Sequence, residues 1–82
     1  MFRATRGYVT SQGDGDSDYV AFFSTLEEAI KWAESETRTL RVTKRDSLTY
    51  VDDVMVEQLD EDGEPIAQPL FWHKADIGRI QP

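Results

Sequence analysis

The chain predicts an α+β fold: one small domain in which an antiparallel sheet of about four to five strands carries a single helix on one face. Three observations lead there. Only one stretch, residues 25–38, repeats its apolar residues at helical spacing. Five others, at 2–10, 19–24, 39–45, 49–59 and 66–74, alternate or concentrate β-branched and aromatic residues. Between them lie short segments rich in Gly, Asp, Ser and Pro, the residues of turns. The order is β-β-α-β-β-β. Eighty-two residues make a single domain, 1–82, with 76–82 expected as a loosely held tail.

Each element has its own signal. In residues 2–10, Phe2, Ala4 and Tyr8 share one parity and Arg3, Thr5 and Val9 the other. Residues 11–18 are polar with two glycines and read as a loop; YVAFFS, 19–24, reads as the returning strand of a hairpin. Ser24 with Glu27, and Thr25 with Glu28, both fit a capping box. A helix then follows to Arg38, its buried stripe set by Leu26, Ala29, Ile30, Ala33 and Thr37. Leu40 and Val42 alternate against Arg41 and Thr43, and Asp46-Ser47 suits a turn. Residues 49–59 are a long strand, and the Val54-Met55-Val56 run predicts that its middle is covered on both sides. DEDGEP, 60–65, is a turn by composition. In the last strand, 66–74, Pro69 cannot donate to a ladder, which predicts an edge or a bulge there.

Composition narrows the function. There is no cysteine, hence no disulfide, no thiolate ligand and no Cys–His pair. No run approaches the roughly 18 apolar residues of a membrane span, so the expectation is a cytoplasmic protein with no membrane contact. A net charge of −7 and a pI near 4.5 repel phosphates, which argues against direct nucleic acid binding and for a basic protein partner. No phosphate loop or dinucleotide glycine pattern is present, and no cofactor is expected.

The aspartates at 14, 16 and 18 begin like a calcium loop of the helix–loop–helix type. Such a loop needs glycine at its sixth position and glutamate at its twelfth; here those are Tyr19 and Thr25. The segment reads as a solvated acidic turn, and no metal site is expected. His73 is the only histidine, and none of Ser11, Ser17, Ser24, Ser35 and Ser47 sits in a nucleophile elbow. Asp52-Asp53 and Asp60-Glu61-Asp62 are the dense carboxylates, but a working acid needs a pocket that shifts its pKa. The chain is read as non-enzymatic.

Two features mark a binding surface. Seven acids lie between residues 14 and 36 and seven more between 52 and 64, separated by Arg38, Arg41, Lys44 and Arg45. If the two blocks meet in space, they form an acidic face. The second feature is Trp32. On a helical projection it falls roughly 240° from Leu26, off the apolar stripe and between Glu28, Ser35 and Glu36. It is either an exposed hot spot or covered by a loop or the tail. On the long strand, Asp53, Met55 and Glu57 share a parity that suits a sheet face open to solvent or to a partner. The partner-binding candidates are therefore Glu28, Trp32, Glu36, Asp53, Met55, Glu57, Asp60, Glu61 and Asp62.

In size, acidity and lack of cysteine or catalytic signature, the whole chain resembles the accessory proteins of phages and mobile elements, among them the anti-CRISPR proteins. The resemblance carries over no individual residue. It implies a phage-encoded inhibitor that docks carboxylates on a basic host protein or nucleoprotein complex, in the manner of nucleic-acid mimicry, in the host cytoplasm. A homodimer joined through a sheet edge, using the first strand or residues 39–45, is the alternative; monomer and homodimer both remain open.

Overall fold

The longest strand expected from the sequence, residues 49–59, becomes the middle of the sheet. The computed structural model describes residues 1–76 and the backbone of Ile80 and Gln81. Strand β1 (Phe2–Thr10) pairs antiparallel with β2 (Gly15–Phe23) on one side and with β4 (Leu48–Gln58) on the other. Strand β3 (Val42–Arg45) and strand β5 (Phe71–Lys74) share the far side of β4. The first pairs with residues 48–51, the second with residues 53–56. Five strands are thus antiparallel, and helix α1 (Leu26–Thr37) lies on one face. This is the expected α+β architecture in the expected order.

Alternation decides which side chains the helix covers. Phe2 and Ala4 of β1, Val54 and Val56 of β4, and Phe71 of β5 pack with Ala29, Ala33 and Ile30 of α1. A smaller cluster of Val42, Val51 and Ala75 fills the region where β3 and β5 meet β4. The largest fully buried side chains are valines, so this core is thin. Thr25 caps α1: its Oγ1 accepts from the Glu28 N–H at 3.2 Å and donates to Glu28 Oε1 at 2.9 Å. Of the two caps the sequence offers, the second is used, and Glu28 closes on the Thr25 hydroxyl where a full capping box would take its backbone N–H.

Several expectations change. Strand β2 begins at Gly15, within the stretch read as a loop. Gly and Asp disfavour strands, but pairing with Tyr8 and Val9 overrides that preference. One residue, Asp18, bulges out where the register shifts between Arg6 and Gly7. Gly7 is required there, because a Cβ would lie 2.0 Å from the Asp16 carbonyl oxygen. Residues 66–70 do not form strand. They cross back through single bonds, Ile66 N–H to Gln58 O and Leu70 N–H to Val56 O, and Pro69 stays outside the ladder. Met55 is half-buried on the face away from α1, so the middle of β4 is fully covered on one side only. Neither edge expected to be open is free: β1 is central, and β3 is flanked by β4 and by β6 (Ile80–Gln81), which pairs with it in parallel at Val42 and Thr43. The expected loose tail otherwise falls on residues 77–79 and 82, outside the described residues. Among the described residues, strand β2 is the long free edge.

Candidate functional site

The two densest acidic turns lie at opposite ends of the sheet. Thr10 N–H bonds to Asp14 O at one end of β1, while Leu59 N–H bonds to Met1 O at the other. Nine strand residues, roughly 27 Å, therefore stand between the aspartates of the β1–β2 loop and the turn at 60–64. The two turns therefore do not share one face. Asp14, Asp16 and Asp18 mark one end of the sheet and residues 60–64 the other, with Asp53 and Glu57 between them on the open face and Glu27, Glu28, Glu34 and Glu36 carried on α1.

The turn at 60–64 is the better built of the two. Asp60 Oδ1 accepts from both the Asp62 and Glu64 N–H groups at 2.9 Å. The Asp60 N–H donates to Glu64 O at 2.8 Å, and Gly63 N–H to Asp60 O at 3.1 Å, with Gly63 at φ 83°. Asp60 is thus spent on holding the turn. Glu61, Asp62 and Glu64 are exposed, and among the described residues none of the three forms an ion pair. Beside them Met1 and Ile66 expose apolar surface along a shallow groove completed by Leu59.

The other candidates have intramolecular work. Trp32 is not an exposed hot spot: β2 covers it, with Tyr19 stacked at 5.6 Å between ring centroids and Phe23 at 6.2 Å. The helical angle was sound, but the sheet reaches further around the helix than the aliphatic stripe does. Glu28 belongs to the helix cap. Glu36 accepts from Arg6 Nη1 at 3.1 Å. Asp53, Met55 and Glu57 do lie together on the face away from α1. There Glu57 pairs with Arg3 at 3.0 Å, and Asp53 Oδ2 accepts from Trp72 Nε1 at 3.0 Å under Lys74, whose Nζ is 4.5 Å from the indole centroid.

Sequence reasoning missed Arg6 and the role of Asp52. Arg6 reaches from β1 to the C-terminal end of α1, donating to Glu36, to Thr39 Oγ1 and, at 3.1 Å, to Thr39 O. Asp52 sits where β3 and β5 meet on β4. Its Oδ2 accepts from Arg41 N–H at 3.0 Å and lies 3.6 Å from Arg6 Nη2. Its backbone accepts from Ala75 and donates to Arg41. Alternation sends Asp52 and Asp53 to opposite faces, so they are not a catalytic pair.

His73 is exposed on β5 in an open groove of about 420 Å³ with Arg38 and Arg41. No serine lines it. Among the described residues no group of three His, Asp or Glu is placed to hold a metal ion, and no helix is long and apolar enough to cross a membrane. Compared with protein-family models, with curated proteins and with solved structures, the chain matches none.

Proposed function

We propose that the protein is a small non-enzymatic binding protein that presents its acidic 60–64 turn to a basic surface on a larger protein. The observation that carries this is the turn itself: three exposed carboxylates that form no ion pair among the described residues, on a backbone fixed by Asp60 and bordered by exposed Met1 and Ile66. A turn whose backbone is already ordered presents its carboxylates to a basic groove with less ordering cost than a flexible acidic loop. Net charge −7 steers the encounter and makes it salt-sensitive. The partner fitting this chemistry is a nucleic-acid-handling protein, with the carboxylates standing where phosphates would. The protein then acts as an inhibitor in the cytoplasm, that of the host if it is phage-encoded.

The test is affinity capture from host lysate at low and high salt, with nuclease treatment. The control is the triple variant Glu61→Lys, Asp62→Lys and Glu64→Lys, which spares Asp60. A basic protein retained at low salt after nuclease, and lost to the variant, supports the reading. Equal capture by the variant removes the turn from it.

A further inference from the structure

Strand β2 pairs with β1 and, among the described residues, with no other strand, so one row of its backbone N–H and C=O groups lacks a ladder partner. Its two halves differ. The first is guarded as free edges commonly are, by charge and by a bulge: Asp16 and Asp18 stand there, and Asp16 Oδ1 takes the Ser17 N–H at 2.8 Å. The second, Tyr19-Val20-Ala21-Phe22-Phe23, carries no charge and no bulge. It leaves Tyr19 55%, Val20 45% and Phe22 59% exposed.

Those three side chains do not share a face. Tyr19 lies on the helix side, stacked on Trp32, while Val20 and Phe22 lie on the open side with Met55 and Arg3. A surface laid against the open face would leave Tyr19 uncovered. A strand added beside β2 covers both sets at once and completes the backbone ladder.

We propose that this strand is β2 of a second copy, paired antiparallel about a two-fold axis at Ala21. The sequence is self-complementary in that register. Tyr19 faces the partner's Phe23, and Val20 faces the partner's Phe22; aromatic–aromatic and aromatic–β-branched cross-strand pairs are both favourable. Asp18 falls opposite the partner's Ser24, so no two carboxylates meet directly, although the chains repel each other elsewhere. The interface is isologous and closes on itself, giving one continuous sheet with both helices on the same side.

The register can be tested by charge. Val20 and Phe22 are exposed, so lysine at either should leave the monomer fold intact, which circular dichroism checks. Sedimentation equilibrium from about 10 µM to about 1 mM should show the native chain as a dimer. The variant Val20→Lys/Phe22→Lys sets two lysines opposite each other twice and should weaken association at least tenfold. The variant Val20→Lys/Phe22→Glu sets lysine opposite glutamate and should restore it. A native chain that stays monomeric at 1 mM overturns the proposal, as does a dimer indifferent to the double lysine. Failure of the Lys/Glu variant to recover association overturns the strand register. None of these variants touches the 60–64 turn, so the outcome is separate from that of the lysate capture.

Discussion

Arg6 joins β1 to the end of α1 and to β4 through a single side chain. From β1 it donates to Glu36 and to Thr39 at the end of α1, where carbonyl groups lack helical partners and a cation is favoured. It also stands against Asp52, the residue that ties β3 and β5 to β4. Removing it leaves two half-buried carboxylates without their cation. Arg6→Ala should cost about 1–3 kcal/mol, read as a lower urea midpoint at unchanged slope. Arg6→Lys should recover only part of that, because an ammonium cannot serve Glu36 and the Thr39 carbonyl in fork geometry. A loss under about 0.5 kcal/mol would show that these bonds merely replace hydration. None of this was legible from sequence, because the partners of Arg6 lie 30 or more positions away. Trp32 teaches the same lesson. A helical projection gives its direction, but only the width of the sheet tells whether that direction is covered.

At the scale of elements, local chemistry was readable wherever a segment specifies itself. The Thr25 cap, the extent of α1 and the alternation of β1 and β4 all come from spacing within a few residues. The segments misread take their state from elsewhere: Gly15–Asp18 from the facing Tyr8 and Val9, and residues 66–70 from the length of β4 they must cross. The β3–β4 hairpin combines both cases. Composition marks Asp46-Ser47 as a turn but does not show the strain it holds: φ is 50° at Asp46 and 69° at Ser47. Positive φ at both central residues is the geometry of a two-residue type I′ hairpin, and glycine is the residue suited to its second position. Ser47→Gly should therefore stabilise the protein by about 0.5–1 kcal/mol in thermal or urea unfolding, whereas Ser47→Val should destabilise it. A neutral or destabilising glycine would mean that Ser47 makes a favourable contact outweighing its backbone cost.

For the molecule as a whole, charge and core pull against each other. The core is closed by alanines and valines, while Tyr19, Phe22 and Trp72 remain exposed, so the apolar gain per residue is small. A net charge of −7 sits on this thin core, drawn out along a body 41 Å long with carboxylates gathered at both ends. Repulsion within each end cluster acts over less than the Debye length at low salt. It weakens toward physiological ionic strength, where that length falls from about 30 Å to about 8 Å, comparable with the spacing of the carboxylates. Salt also weakens the three ion pairs Arg3–Glu57, Arg6–Glu36 and Arg6–Asp52. Each is partly buried and hydrogen-bonded or close to it, so each is screened less than the exposed acids of the turns. The sum favours stabilisation: Tm should rise by roughly 3–6 °C between 10 mM and 150 mM sodium chloride, a change of under about 1 kcal/mol for a domain of this size. The measurement belongs at one low protein concentration, because pairing through β2 would raise Tm by mass action as well. A fall in Tm would reverse the ranking and make the ion pairs on either side of the sheet, not the crowded ends, the dominant electrostatic feature of the fold.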